Sequence, residues 1–323
     1  MSEFTDNIET SEAFKLDVLK GLQSSPKYLQ GKYFYDSQGD KLFQQIMATP
    51  EYYLTKAELE IFSNQCLEIL NLLKDFIASD FDLIELGVGD AIKSSQLLKC
   101  LEQARATFSY YPIDISKNIL QFIENELPKK IEGLKIKGIE AEYFIGLEKI
   151  SQLSLKPRWI LFLGGNIGNM PPREAQFFLE QLYKHMAPRD IALIGFDLKK
   201  NPWTIFNAYN DAKGVTKEFN INLLRRINRE LQANFILENW DHYESYDPET
   251  GACKSYLISL AEQQVQIDSH NIHFAENEQI YMETSQKYTI EQINSMAEKA
   301  GFECLKNLFD SQKRFTDVIW QRV

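Results

Sequence analysis

Short apolar runs alternate with stretches of helical spacing through the middle of the chain, and this alternation predicts the architecture. Phe81 to Leu86 is one such run, and the following AIKSSQLLKCLEQ has the spacing of an amphipathic helix. ATFSYYPIDIS predicts a second strand whose exit carries Asp114, and LKIKGIEAEYF a third that ends near Glu142 and Tyr143. WILFLGGNIGN predicts a fourth strand, the helix-like PREAQFFLEQLYKHM follows it, and DIALIGFDL is a fifth. Apolar runs of this length between amphipathic helices imply βαβ units, hence an α/β fold with a parallel, doubly wound sheet. Right-handed crossovers then place helices on both of its faces.

After Leu198 the pattern breaks. KKNPWTIFNAYNDAKGVTKEFNINLLRRINREL reads as polar helical excursions, and KSYLISLAEQQVQI and IHFAENEQIYMETSQKY alternate like antiparallel strands. From about Thr289 the earlier pattern returns, with a helix in TIEQINSMAEKAGF, then ECLKNLFD and FTDVIWQRV. No internal repeat or low-complexity tract interrupts the reading. Two domains are therefore expected: 58–199 with 287–323 around the parallel sheet, and 1–57 with 200–286 as a second, smaller lobe. A cap over the carboxyl edge of the sheet is where a substrate would be enclosed.

Composition narrows the partners. The chain has 323 residues, 44% hydrophobic and 25% charged, enough to bury a core and without a disordered signature. A net charge of -11 and a pI near 5.0 argue against nucleic acid, whose binders present basic surfaces. No apolar stretch approaches the roughly 20 residues that span a bilayer. MSEFTDNIETSEAF carries acids where a signal peptide needs a basic and then an apolar segment. Cys66, Cys100, Cys253 and Cys304 are far apart in sequence and are expected to be reduced thiols. His185, His242, His270 and His273 lack metal spacing, so no metal is expected, and each is read as a surface or capping residue. These features point to a soluble cytoplasmic protein.

Candidate chemistry begins at LIELGVGDAIK. A dinucleotide fingerprint needs a third glycine three positions after the second, to let helix and strand close around a pyrophosphate. That position is Ile92. What remains, Glu85-x-Gly87-x-Gly89, resembles the first motif of class I S-adenosylmethionine-dependent methyltransferases, a cofactor without phosphate whose loop needs only close backbone approach. Asp114 sits where an acid can accept hydrogen bonds from ribose hydroxyls, an arrangement shared with nicotinamide enzymes. A bland reading stands beside this one: a tight strand-to-helix turn at Gly87 and Gly89, with Asp114 a helix N-cap. Asn201-Pro202-Trp203 is read as a turn.

Longer strings are more specific. YFYDSQGDKLFQQIMATPEYYLTKAELEIF, LIELGVGDAIK, YYPIDIS, FLGGNIGN, AYNDAKGVTKEFN and METSQKY occur in that order. Together they closely resemble the histidine-specific Nα-methyltransferases of ergothioneine biosynthesis, from about Ser11 to the last strand. The resemblance implies a Rossmann-like class I sheet carrying S-adenosylmethionine and a substrate-binding lobe. It also implies conversion of L-histidine to its trimethylated betaine, hercynine, by three methyl transfers. Gly87, Lys93, Asp114, Glu142 and Tyr143 match cofactor contacts, with Gly89 in the same turn. Gly164 would lie beside the reacting centre, and Asn169 would hold the α-amino and carboxylate end. Tyr209 matches a carboxylate-binding tyrosine, Tyr52 lines the pocket, and Tyr35 stands near the amine as its orienting or proton-accepting group. Glu283 and Ser285 match the pair that reads the imidazole, and residues two apart on a strand share a face. Glu142 stands where an aspartate is usual, Gly165-Asn166 replaces Ser-Thr, and Ser255 in KSYLIS alters a pocket wall facing the imidazole pair. The expected partner is a small molecule, with neither nucleic acid nor membrane, and the chain is read as a monomer. The alternative is methylation of another amino acid or small amine.

Overall fold

A computed structural model describes residues 2–323, with side chains from Glu12 onward. The chain divides into two compact units, residues 54–199 with 286–323 and residues 1–53 with 200–285.

The first unit is built on an eight-stranded sheet. Helix α1 (Leu54–Leu72) precedes β1 (Phe81–Leu86), and α2 (Ser94–Gln103) leads to β2 (Phe108–Asp114). Farther on come β3 (Arg158–Phe162), β4 (Ile191–Asp197) and a terminal pair, β5 (Phe302–Phe309) and β6 (Phe315–Arg322). The order is β5-β6-β4-β3-β1-β2, with the short strands Lys135–Ile136 and Ile139–Glu140 completing the edge beside β2. From the β2 edge to β4 the pairings are parallel, whereas β6 runs antiparallel to both β4 and β5. The C-terminal strands thus form a hairpin that adds antiparallel pairing to the expected parallel sheet.

Every residue of β1 and of β4 is buried. That is why both read as continuous runs: strands covered by helices on both faces lose the period of two. Ile84, Leu86, Ile160, Phe162, Ile194, Phe196 and Val318 meet helices Tyr143–Leu153, Pro172–His185 and Ile290–Ala300 in one core. Alternation sends Glu85, Gly195 and Asp317 to the opposite face, where α1 and α2 pack. The predicted third strand is shorter than its apolar run. Gly138 interrupts it, its N–H donating to Glu124 Oε1 at 2.6 Å, and a Cβ there would come within 3.2 Å of that oxygen.

In the second unit a four-stranded sheet orders Lys27–Tyr28, Gln279–Gln286, Ala252–Ser259 and Trp240–Tyr246. Helix α3 (Val215–Leu231) packs on it and on helix Ser37–Ala48. Gly214, left-handed at φ 71°, precedes α3, and Asp211 accepts from the N–H groups of Val215 and Thr216 at 3.0 and 2.7 Å. The two long alternating segments each break in two, because Gln263–Ile267 and His270–Phe274 leave the sheet as their own hairpin. Asn201 caps helix Pro202–Ala208 through the N–H of Trp203, so the expected turn there is a helix start. Among the described residues, no helix is long and apolar enough to cross a membrane, and no group of side chains has metal-binding geometry.

Candidate active site

In the sheet unit, the chain after β1 moves to one side and the chain after β3 to the other. The crevice at such a reversal, at the carboxyl ends of the strands, is where open α/β sheets bind ligands. Two loops emerge there. Gly87 and Gly89 both take positive φ, 70° and 54°, which glycine adopts without steric cost. A Cβ on Gly87 would stand 3.0 Å from the Tyr143 hydroxyl and 3.6 Å from Asn166 Nδ2. Gly164, at φ 78°, leaves the end of β3, and a Cβ there would lie 2.5 Å from Lys93 Nζ. Gly168 lies against residue 286, where a Cβ would meet the Gln286 carbonyl at 2.7 Å.

Asp114 ends β2 and accepts from Ser116 N at 2.9 Å and, more weakly, from Gly89 N at 3.5 Å. Burial pushes its carboxyl up, against the pull of those backbone N–H groups. Tyr143 starts the next helix, its ring edge-on to Phe162 and Phe178 at 5.5 and 6.1 Å. Burial, reinforced by the Asp114 charge, pushes its phenol up to about 12. The fold therefore gathers Gly87, Gly89, Lys93, Asp114, Tyr143 and Gly164 at one edge. Glu142 is exposed at the helix N-terminus and makes no side-chain cap. Asn169 is exposed at the end of the turn Asn166–Asn169.

Beneath this edge lies a charged cluster, of which the sequence reading singled out Lys93 and Glu85 but neither Glu58 nor Asp317. Glu58 of α1, fully buried, accepts from Gly164 N at 2.7 Å and lies 3.0 Å from Lys93 Nζ. Burial pushes the Lys93 ammonium down, and the Glu58 charge more than offsets it, so the lysine titrates above its ordinary range. Glu85, also buried, accepts from the Tyr110 hydroxyl. Burial pushes its carboxyl up to about 7. The available signals were the glutamate that closes YYLTKAE and the lone acid inside the apolar run FTDVIWQRV.

The second unit gathers a different set. Tyr209 and Ser285 share a hydrogen bond between their hydroxyls at 2.7 Å. Tyr52, buried, stands edge-on to Tyr209 at 6.1 Å. Phe43 lies between Tyr35 and Tyr52, edge-on to each at 5.7 and 6.3 Å, and continues the aromatic wall. Sequence reading missed Phe43, which looks like an ordinary apolar helix position in KLFQQIM. Asp36 anchors the neighbouring backbone: its carboxylate accepts from Gly39 N, Asn222 Nδ2 and Arg229 at 2.7, 2.9 and 2.7 Å. Burial opposes ionisation there, but the Gly39 N–H and Arg229 hold the carboxyl below the usual range. Glu283 alternates with buried Met282 and Thr284 and so shares the face of Ser285. Its Cβ lies 3.7 Å from where a Gly31 Cβ would be.

Three expectations need correction. Ser255 does not line the face of Glu283 and Ser285. It points to the α3 side, with its hydroxyl 2.6 Å from His242 Nε2 and 3.3 Å from Asn220 Oδ1. Tyr256, in ring contact with Tyr281 at 5.8 Å, is the residue of that strand on the Glu283 face. His242 is therefore a buried, hydrogen-bonded residue of the sheet rather than a surface one. Cys66 and Cys100 are joined in a disulfide between α1 and α2, with Cα atoms 6.4 Å apart, because the two helices pack side by side.

A mostly parallel sheet of this order, with a glycine turn after its central strand and an acid at the tip of the next, defines a Rossmann-like class I methyltransferase fold. The chain belongs to the S-adenosylmethionine-dependent, histidine-specific methyltransferase family, whose model matches residues 14–322. It is 32% identical over 293 residues to the histidine N-alpha-methyltransferase of Mycolicibacterium smegmatis, covering 90% of this chain and 89% of that one. It is 31% identical over 296 residues to the protein of the same name from Mycobacterium tuberculosis, covering 91% and 90%. The L-tryptophan methyltransferase trpM of Psilocybe serbica is 28% identical over 321 residues, covering 92% and 89%.

Proposed function

We propose that the protein trimethylates the α-amino nitrogen of L-histidine to hercynine, as a cytoplasmic monomer that acts on no nucleic acid. The observation that carries the substrate reading is the polar group of Glu283, Ser285 and Tyr209, with a hydroxyl–hydroxyl contact of 2.7 Å, beside the aromatic series Tyr52, Phe43 and Tyr35. A hydrophobic amino acid would make no use of the carboxylate.

The sheet unit is the cofactor-binding domain in this reading, and residues 1–53 with 200–285 are the substrate-binding domain. The residues at the sheet edge fit S-adenosylmethionine: glycines whose missing Cβ atoms leave the backbone open to close approach, and an acid for ribose hydroxyls. When bound, this cofactor supplies a methyl group on a positively charged sulfur. Gly87, Gly89 and Gly164 admit it, Asp114 accepts from its ribose, and Lys93, Glu142 and Tyr143 complete its surroundings. Asn169 and Tyr209 hold the amino and carboxylate end of the substrate, while Glu283 and Ser285 take the imidazole.

Transfer then asks mainly for geometry, the amine lone pair about 3–3.5 Å from the methyl carbon and in line with sulfur. An α-amino group with a pKa of roughly 8 needs little help to lose its proton, and Tyr35 is placed in the role of orienting it. Aromatic faces at Tyr35, Phe43 and Tyr52 suit the growing cationic charge of the methylated nitrogen. Incubation with S-adenosylmethionine and a panel of amino acids, read by mass spectrometry, should give histidine carrying three added methyl groups on its α-nitrogen. Ring methylation, or consumption of another amine while histidine is left, rejects the reading. One observation favours such a second substrate: the trpM relative is named for tryptophan.

Asp114 gives a narrower test. Asp114→Asn keeps one acceptor oxygen and loses the second, so cofactor affinity should fall by about 1 kcal/mol, roughly fivefold. Unchanged affinity by calorimetry would take Asp114 out of the site.

A further inference from the structure

The buried acid pair under the glycine turn has no part in the chemistry described so far. Glu58 reaches the sheet over Gly195, where a Cβ would lie 2.7 Å from Glu58 Oε1. A side chain at residue 195 would expel the carboxylate, so glycine there makes room for it. Asp317 sits directly across from Gly195 in the β6–β4 pairing, with its side chain on the same face. Both oxygens of Asp317 are buried without a hydrogen-bond partner among the described residues, and Glu58 Oε2 faces only the Lys93 ammonium, at 3.0 Å. A buried acceptor without a donor is costly, and two adjoining carboxylates can answer each other only if one of them carries a proton.

We propose that Glu58 is a positioning residue, held by a protonated Asp317 that donates to it, and that it sets the Gly164 loop and Lys93 for the cofactor. Glu58 spans the two loops of the edge, accepting from Gly164 N at 2.7 Å with one oxygen and facing Lys93 Nζ at 3.0 Å with the other. Without it, a loop end at φ 78° and a half-buried ammonium would each need another partner. Asp317 supplies the donor that fixes the rotamer of Glu58. Its carboxyl is pushed well above the usual range, first by burial and then by the Glu58 charge, with Lys93 pulling the other way. The other groups of the cluster are Glu85 on β1, Tyr110 on β2 and Asp90 in the glycine turn. This inference rests on reading the edge as the cofactor site.

The test is calorimetric titration of S-adenosylhomocysteine into the whole protein and into Glu58→Gln, Asp317→Asn and Asp317→Leu, across pH. Asp317→Asn keeps a donor toward Glu58 and should hold affinity within about threefold, whereas Asp317→Leu and Glu58→Gln should each lose about tenfold or more. The parent should also bind more weakly once the pH has risen far enough for Asp317 to give up its proton, and Asp317→Asn should not. Glu85, Lys93, Tyr110 and Asp90 are present in both proteins, so the difference between their pH profiles belongs to Asp317. Equal losses in the Asn and Leu variants, with the fall at rising pH intact in Asp317→Asn, would overturn the inference. A parent that binds no S-adenosylhomocysteine would instead overturn the cofactor reading, and this inference with it.

Discussion

Glu283→Ala is expected to weaken histidine binding by about 1.5–3 kcal/mol, which is ~10- to 100-fold in affinity, and to flatten the preference for histidine over phenylalanine and leucine. The size follows from the type of contact: a carboxylate accepting an imidazole N–H makes a charge-assisted hydrogen bond, stronger than a neutral one. The loss of preference follows from the other side of the same contact. An apolar side chain offers Glu283 no N–H, so the parent penalises it, and the alanine variant has no carboxylate left to penalise anything. Ser285 cannot replace the carboxylate, because a neutral hydroxyl makes a weaker bond than a charged acceptor. Its hydroxyl shares a 2.7 Å contact with Tyr209, the tyrosine expected to meet the substrate carboxylate. Asn169 is the cleaner control for the backbone end. Asn169→Ala should weaken all amino acids to a similar extent and leave their ranking unchanged. Affinities of histidine, phenylalanine and leucine for both variants decide the matter. A reordering in Asn169→Ala, with none in Glu283→Ala, would mean that the two ends of the substrate are assigned the wrong way round.

Legibility in the sequence followed how strongly each feature is imprinted on residue type. The central strands were readable because burial on both faces favours apolar residues, as in the IALIGF run of residues 191–196. The glycine turn was readable because positive φ selects glycine at residues 87 and 89. The third strand was overread, since an apolar edge run says nothing about the break that Gly138 imposes. Faces in the second unit were harder. Ser255 and Tyr256 are neighbours in sequence, and only the register of the sheet decides which of them shares the Glu283 face. His242 was taken for a surface residue because polarity alone cannot announce that Ser255 waits inside to bond it. Cys66 and Cys100, 34 residues apart, meet only because two helices lie together. Phe43 gives no local sign of its tyrosine neighbours. Buried charge was the least legible feature. Glu58, Glu85 and Asp317 each sit among apolar residues, and their meaning lies in one another, across α1, β1 and β6.

Glu85→Gln is expected to make the protein more stable at pH 8 and to change little at pH 4. A carboxyl whose folded value is about 7 stays protonated in the native state long after the unfolded chain, near its ordinary 4.5, has ionised. The native state then holds the extra proton, so raising the pH favours unfolding. The contribution is fully present below about pH 4.5, declines from there, and is gone once the pH has passed 7. The shift is worth about 3 kcal/mol, since each unit corresponds to roughly 1.4 kcal/mol and the residue is almost wholly buried. Glutamine keeps an oxygen to accept from the Tyr110 hydroxyl but has no proton to lose, so its curve lacks this fall. Asp317, also pushed up, adds a decline of the same sign, and it does so in both proteins. Urea unfolding of parent and variant at pH 4, 6 and 8 should show stabilities that converge at the acid end and separate progressively above pH 4.5, in favour of glutamine. Parallel curves would mean that Glu85 ionises as readily in the folded protein as outside it.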